Sequence, residues 1–380
     1  MLFVPPTLDV AETQVIDLID NIRRRLTYAT SAPTRWFGLL ARNVRARALR
    51  GSNSIEGYNV TVEDAIAALE NELPVDAEQR DWAAVRGYRN AMTYVLQLAD
   101  DLHFEFSEGF IRSLHYMMLD YDLSKHPGKW RPGPIYIRDE ERAQIVYEAP
   151  AAEDVPQLMR ELLSTLQYPD PRVPALVRAA MAHLNLVMIH PFSDGNGRMA
   201  RCLQTLVLAR EGILERQFCS IEEYLGANTR AYYDALIQVG AGAWHPERDA
   251  RPWIRLNLTA HYRQAMTLLR RTREIQRIWD QLEVEVQQRG LPDRVILALA
   301  DAAIGLNVRN STYRAAADIS ENLASRDLKH LCDAGLLEAK GEKRGRVYVA
   351  ALPVVAARMR AAEPRGDVPD PFDLVRSSFP

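Results

Sequence analysis

Residues 190–201 read "HPFSDGNGRMAR", and they stand between two strongly apolar stretches, "PALVRAAMAHLNLVMI" at 174–189 and "CLQTLVLA" at 202–209. The first stretch is apolar nearly all round, which predicts a buried central helix beginning after a proline. The second continues "RMARCLQTLVLAREGI" helically, so the polar segment is a loop that feeds a helix N-terminus near Gly197 or Arg198. The first turn of a helix offers unpaired backbone N–H groups and a partial positive charge, which suits an anion. Gly195 and Gly197 let the backbone curl so that several N–H groups face one oxyanion. Arg198 and Arg201 are three residues apart, hence on one helix face, where they can hold further phosphate oxygens. Asp194 is a hard oxygen ligand suited to Mg²⁺ bridging phosphates, and a histidine such as His190, whose ordinary pKa lies near neutrality, is suited to accept a proton there. A histidine at a helix end, or a "DGNG" turn, would each be structural by itself. The combination spells phosphoryl or nucleotidyl transfer, in which positioning and charge neutralisation are most of the work.

Outward from this loop, most of the chain reads as helix. "TQVIDLIDNIRRRLTYA", "VEDAIAALENEL" and "VPQLMRELLSTLQY" repeat apolar residues every three or four positions, with charges opposite. One interval breaks the pattern. "PGKWRPGPIYIRDEERAQIVY" at 127–147 has Pro and Gly punctuation and two strand-like runs, which predicts a small hairpin. Downstream, "RPWIRLNLTAHYRQAMTLLRRTREIQRIWDQLEVEVQQ" reads as one long charged helix. Three short helical patterns and the hairpin-like "LLEAKGEKRGRVYVA" then suggest a winged helix-turn-helix, with Ser320 capping its second helix.

Composition bounds the function without naming it. At 380 residues, 47% hydrophobic and 26% charged, the chain has ample material for buried cores. No apolar run is long enough to span a bilayer, and "MLFVPPTLDV" lacks the features of a signal peptide, so the expected setting is cytoplasmic, with no membrane contact. Cys202, Cys219 and Cys332 show no metal spacing and cannot all pair, which fits a reducing compartment. A net charge of −3 excludes a general polycationic coat for nucleic acid.

The loop 190–201 resembles the signature of the Fic family, His-x-Phe-x-Asp/Glu-Gly-Asn-Gly-Arg-x-x-Arg, at every specified position. The resemblance implies a mainly α fold, a helical Fic domain with a β-hairpin flap, followed here by the winged-helix module. It implies transfer of AMP from the co-substrate ATP to a Ser, Thr or Tyr hydroxyl of a target protein, with release of pyrophosphate. His190 would be the base that deprotonates that hydroxyl, and Asp194 would hold Mg²⁺ on the α- and β-phosphates. Gly195, Asn196 and Gly197 would form the anion hole, Arg198 and Arg201 would hold the β- and γ-phosphates, and Phe192 would anchor the loop in the core. "PGKWRPGPIYI" at 127–137 is similar to the family's flap, which pairs with the target segment strand to strand; Gly128, Lys129 and Trp130 would border the nucleotide. "NTRAYYDALIQV" resembles the post-signature helix, placing Tyr232 near the nucleotide. Where some relatives have a later Asn, this chain has "GAGAW" with Gly240.

"GSNSIEGYNV" at 51–60 resembles the family's inhibitory pattern (Ser/Thr)-x-x-x-Glu-(Gly/Asn), carried by Ser52, Glu56 and Gly57. A carboxylate there would pair with Arg201 and stand where a γ-phosphate belongs. In some relatives the same Glu aligns a water that removes AMP, so Glu56 would also suit the reverse hydrolysis. The expected organisation is an N-terminal helical region with the inhibitory motif (1–110), a Fic core (111–250), a helical connector (251–290), the winged-helix module (291–350) and a flexible tail (351–380). Residues 291–350 hold nine Lys/Arg (294, 309, 314, 326, 329, 340, 343, 344, 346) against eight Asp/Glu. That balance gives DNA little support as a partner, although Asn322, Ser325, Arg326, Lys329 and the basic "KGEKRGR" would face a groove. Three classes stay open: a self-inhibited adenylyltransferase acting on a target protein and on itself, with a homodimer among the open oligomeric states; a nucleotide-sensing DNA-binding regulator; and a Fic enzyme that transfers another phosphate-containing group. Kinase-type relatives carry Lys where this signature has Gly197, which favours AMP.

Overall fold

The computed structural model describes residues 1–30, 35–74, 76–139, 144–213, 220–342, 346–364, 366 and 368–377. The chain divides into two compact units, Met1–Arg24 with Arg45–Ala265 and Pro369–Pro380, and Arg25–Val44 with Met266–Val368. Three long helices contribute to both: α1 (Val10–Thr30), α2 (Phe37–Ile55) and α11 (Arg251–Gln288).

The first unit is built on two buried helices, α7 (Ala175–Ile189) and α8 (Asn196–Arg210). Both are buried along most of their length, as the unbroken apolar run before His190 predicts. Around them lie α3 (Val62–Leu69), α4 (Gln79–Gln97), α5 (Glu108–Leu119), α6 (Val155–Gln167), α9 (Glu222–Ala227) and α10 (Thr229–Gly240). Helix α6 buries Val155, Leu158, Met159, Leu162 and Leu163, the one-sided stripe of an amphipathic helix. Helix α3 opens with a capping box between Thr61 and Asp64, and Ser107 caps α5. Gly87 lets α4 approach α5 closely, since a methyl group there would run into the Met118 carbonyl.

The expected hairpin forms as β1 (Tyr136–Asp139) antiparallel to β2 (Gln144–Glu148), with a register shift between Ile137 and Arg138; its turn, 140–143, lies outside the described residues. A third strand was not foreseen: β3 (Gly242–Ala243) pairs parallel with β2, Tyr147 opposite Gly242. The sequence also misassigns the start of α11 to a connector. Trp253 is fully buried and donates its indole N–H to the Ala180 carbonyl at 2.7 Å, so this turn belongs to the core of the first unit.

In the second unit, α12 (Val295–Ala303), α13 (Asn310–Ala317) and α14 (Glu321–Asp333) precede the hairpin of β4 (Leu337–Lys340) and β5 (Val347–Ala350). A bridge between Val308 and Tyr348 adds a short third edge. Ser320 caps α14 as expected, accepting from the Leu323 N–H. Asp327 is buried and holds the helices together, taking both prongs of Arg294 at 2.8 and 2.9 Å and the Tyr313 hydroxyl at 2.8 Å. Asn322, Ser325, Arg326 and Lys329 are exposed on α14. Within the basic turn, Lys343 and Arg344 lie outside the described residues, as does Cys219. The stretch after residue 350, read as a tail, carries α15 (Leu352–Ala361), which buries Val354, Ala357 and Ala361, and in the first unit α16 (Pro371–Ser377), whose Phe372 is buried under the Arg255 guanidinium. No helix among the described residues is long and apolar enough to cross a membrane.

Candidate active site

Helix α7 ends at His190, whose backbone adopts the left-handed conformation (φ 52°, ψ 57°) and turns the chain sharply into the loop. The loop returns through Gly195, also left-handed at φ 76°, where a side chain would meet Leu119 and the His115 ring. Between these turns, Asn196 clasps Phe192 from both sides: its carbonyl accepts the Phe192 N–H at 2.9 Å, and its amide donates to the Phe192 carbonyl at 2.8 Å. Asn196 is therefore a brace for the loop as well as the first residue of α8. Phe192 is fully buried, as expected of an anchor, and stacks on the His115 ring at 3.7 Å between centroids.

His115 joins the loop to the approach of the flap. Its Nδ1 accepts the Gly128 N–H at 2.8 Å, which leaves Nε2 to carry the proton donated to the Asp194 carbonyl at 3.0 Å. Burial pushes its pKa down to about 4, so the neutral ring persists and this tautomer holds both contacts. Arg131 does similar work from the other side and is buried. It donates to the carbonyls of His190 (2.8 Å), Gly133 (2.7 Å) and Pro150, and its own N–H reaches the Pro191 carbonyl at 2.9 Å. One guanidinium thus fixes both the turn at His190 and the root of the flap.

The His190 imidazole is half-buried, and its Nδ1 lies 3.1 Å from the Val187 carbonyl. A carbonyl can only accept, so Nδ1 carries the proton and Nε2 presents a free lone pair. Burial is the main cause holding its pKa down at about 4; the Val187 carbonyl opposes that shift, and Arg131 adds to it. At neutral pH the ring is an unprotonated base.

The two arginines are enclosed more fully than surface phosphate ligands would be: Arg198 is 0% exposed and Arg201 1%. Arg198 lies 5.0 Å over the Tyr58 ring, with Nη1 3.5 Å from the Tyr121 hydroxyl and Nη2 3.9 Å from Asp194. Its Nε and Nη2, and Nη1 of Arg201, are buried without a hydrogen-bond partner among the described residues. Buried donors of this kind are costly unless something accepts from them, and three at one helix N-terminus fit the oxygens of a polyphosphate. Asp194 stands beside them, 3.4 Å from Lys125. No cluster of three metal-binding side chains exists among the described residues. One carboxylate fits Mg²⁺ held chiefly by phosphates and water, and does not fit an all-protein cage.

A carboxylate from α2 already meets part of this charge. Glu56 follows the last turn of α2, and Gly57 (φ 80°) ends the helix behind it. Glu56 accepts from Arg201 Nη2 at 2.6 Å, while Ser52 takes Arg201 Nε on its hydroxyl at 2.7 Å and Nη2 on its carbonyl at 3.1 Å. The Glu56 carboxylate lies so close to Gly197 that a methyl there would collide with it, so glycine at 197 is what admits the carboxylate to the helix end. Burial opposes the charge of Arg201, but Glu56, then Tyr232 and Tyr88, hold its pKa above the usual arginine value.

Around the rim, Gly128 and Trp130 are half-buried and Lys129 is exposed; Trp130 packs at 5.0 Å on Phe192. Tyr232 does not reach the rim. It is 1% exposed, its hydroxyl is 3.2 Å from His183 Nε2, and it backs Arg201 from the core. The exposed ring next to Glu56 belongs instead to Tyr233, whose hydroxyl donates to the Ile55 carbonyl at 3.3 Å. Gly240 has a packing reason: a side chain there would crowd Tyr147, which is buried and ties β2 to the Met188 carbonyl at 2.7 Å.

Residues 105–208 match the family model described as the Fic/DOC family, and the match contains the whole loop and both bracing residues, His115 and Arg131. This chain carries a Fic domain. Over 256 residues it is 26% identical to the protein adenylyltransferase Fic of Nematostella vectensis, covering 66% of this chain and 54% of that one. Over 204 residues it is 29% identical to protein adenylyltransferase fic-1 of Caenorhabditis elegans, covering 53% of this chain and 37% of the relative. The chain thus spans about half, or less, of the length of these curated relatives. A solved Fic family protein from Desulfovibrio desulfuricans shares the fold with a TM-score of 0.59 at 24% identity, covering 92% of this chain and 99% of that one.

Within the Fic domain, sequence reading finds the loop residues and misses their supports. His115 sits among the apolar residues of α5 and looks like a core histidine; Arg131 looks like one more charge near a turn. The available signal was weak. Only His115 interrupts a buried stripe, and a buried polar residue needs partners; Arg131 is buried between exposed and half-buried neighbours, so no such signal marks it in the sequence.

Proposed function

We propose that this chain is a self-inhibited, Mg²⁺-dependent protein adenylyltransferase. The observation that carries the reading is one constellation. An unprotonated His190 Nε2 stands at the mouth of a helix N-terminus lined by buried, unsatisfied Arg198 and Arg201 donors, and the Glu56 carboxylate occupies part of that charge. In the forward step His190 Nε2 takes the proton of a target Ser, Thr or Tyr hydroxyl as its oxygen bonds to the α-phosphorus. The bond from that phosphorus to the bridging oxygen breaks, and pyrophosphate leaves. Arg198 and Arg201 neutralise the charge that gathers on the β- and γ-phosphates, and the α8 N–H groups face the α-phosphate. Asp194 would hold Mg²⁺, which would supply further charge neutralisation. Glu56 inhibits because it takes Arg201 Nη2, a donor that the γ-phosphate needs. The edge of the flap at β1 would hold the target segment by added strand pairing.

The test compares wild type, Glu56→Gly and His190→Ala with Mg²⁺ and ATP labelled on the α-phosphate, with self-modification read by mass spectrometry. Strong AMP addition in Glu56→Gly, weak addition in wild type and none in His190→Ala are expected. Nucleotide bound to Glu56→Gly with no AMP transferred to the chain or to lysate proteins would refute the reading, and a DNA-binding screen of the second unit would follow.

A further inference from the structure

The inhibitory carboxylate is only as effective as the placement of the helix that carries it, and α2 is placed by an unusual contact. Gly51, one residue before Ser52, meets α9 backbone to backbone. A Cβ built on Gly51 would stand 2.5 Å from the Glu222 carbonyl oxygen and 2.9 Å from the Glu223 Cα. A Cβ on Gly226, one turn further along α9, would stand 2.6 Å from the Gly51 oxygen and 2.7 Å from its Cα. Two helices touching at glycines on both sides leave no room for even a methyl group.

Beneath this contact lies a buried polar cluster that the proposed chemistry does not use. Glu222 is 2% exposed and accepts the Tyr88 hydroxyl at 2.7 Å, and its second carboxyl oxygen has no hydrogen-bond partner among the described residues. Ser52 lies within interaction range of both Glu222 and Tyr88. Since the Ser52 oxygen accepts Arg201 Nε, its own proton is left to donate, and a carboxyl oxygen with spare capacity is the fitting acceptor. Burial lifts Glu222 to about 7, against the pull of Tyr88 and Arg201, which marks how fully this floor is closed to water.

Resting on the inhibitory reading above, we propose that α9 is the seat of the inhibitory helix. The Gly51–Gly226 contact and the Tyr88–Glu222–Ser52 floor set the depth at which Ser52 and Glu56 reach Arg201. The geometry makes this placement steep. Restoring an ordinary van der Waals contact of 3.4 Å between a methyl on Gly226 and the Gly51 oxygen, now 2.6 Å away, requires roughly 0.8 Å of separation. An equal shift would stretch the 2.6 Å contact from Arg201 to Glu56 to the limit of hydrogen bonding. Gly51, Tyr88, Glu222 and Gly226 are positioning residues in this account. They touch neither nucleotide nor target, and anything that displaces α9 would relieve inhibition.

The experiment measures self-AMPylation of wild type, Gly226→Ala, Glu56→Gly and the double variant, with Gly38→Ala on α2, where a methyl meets nothing within 4 Å, as a control for the substitution itself. Hydrogen exchange at residues 49–57 is read in parallel. Gly226→Ala is expected to label at least fivefold above wild type, Gly38→Ala no more than wild type, and the double variant no more than Glu56→Gly alone. Exchange at 49–57 should rise at least tenfold in Gly226→Ala. Tyr88→Phe, which keeps the ring and deletes one hydrogen bond, should move both readouts the same way and serves if Gly226→Ala does not fold. Wild-type labelling by Gly226→Ala alongside an active Glu56→Gly would overturn the proposal. Unchanged exchange at 49–57 in both Gly226→Ala and Tyr88→Phe would overturn it irrespective of activity. Failure of Glu56→Gly to exceed wild type while exchange rises would count against inhibition by Glu56 and leave the seat of the helix standing.

Discussion

Removing the Glu56 carboxylate should weaken the resting protein and strengthen its response to nucleotide. Arg201 is 1% exposed and has three acceptor contacts, of which only Glu56 Oε1 carries formal charge. Breaking a fully buried ion pair by deleting one partner costs about 3–5 kcal/mol. The Glu56 side chain is 21% exposed, so water can enter the vacated place; we expect a loss of about 2 kcal/mol. For a unit of this size that lowers Tm by about 4–8 °C. ATP supplies a new anion at the same guanidinium. At a hundredfold excess over Kd it returns about 2.7 kcal/mol, enough to restore the melting temperature. Under the proposed inhibition, the carboxylate and the γ-phosphate would compete for Arg201 in wild type, so the same ATP should give a smaller upward shift. The assay is thermal unfolding of Glu56→Gly and the parent chain, each in a His190→Ala background to prevent turnover, across a titration of ATP with Mg²⁺. Equal melting temperatures without nucleotide, or equal shifts with it, would refute the idea that Glu56 and phosphate share one buried cation.

Two further predictions concern the base and its support. With the His190 pKa held down at about 4, labelling by Glu56→Gly should stay flat as pH falls from 8 to about 5.5 and decline only towards 4; a midpoint near the ordinary 6.5 would contradict the buried environment. The same shift has a stability sign: the folded pKa lies below the unfolded one, so the contribution is intact above about 6.5 and is lost as pH falls towards about 4. Arg131→Lys should reduce the rate of labelling in the Glu56→Gly background at least tenfold with little change in ATP affinity, because a single ammonium cannot serve the carbonyls of His190, Gly133 and Pro150 together. Equal losses in rate and nucleotide affinity would show that Arg131 acts by general unfolding instead.

The site divides according to the distance over which each part is encoded. The loop 190–201 could be read as chemistry because its roles depend on local geometry: two left-handed turns, a helix N-terminus and arginines one turn apart. The pairing of Glu56 with Arg201, 145 residues away, came from a resemblance in the residues themselves, since no spacing rule connects α2 with α8. Periodicity identified α7 as central, yet it assigned the first turns of α11 to a connector, because an amphipathic pattern shows that a face is buried without showing against what. Tyr232 and Tyr233 illustrate the same limit, for adjacent residues on a helix point in different directions and only the packing against His183 and Trp253 decided which was enclosed.

The sequence by itself determined the residue types of the candidate anion cradle, the candidate base and the proposed inhibitory segment, all carried by short contiguous segments. Only the tertiary structure decided what holds them in place: the His115 bridge, the Arg131 fan and the glycine contact between α2 and α9. The physical reason is that buried hydrogen bonds and backbone clearances of a few tenths of an ångström depend on which elements meet, and that meeting is a property of the whole packed core.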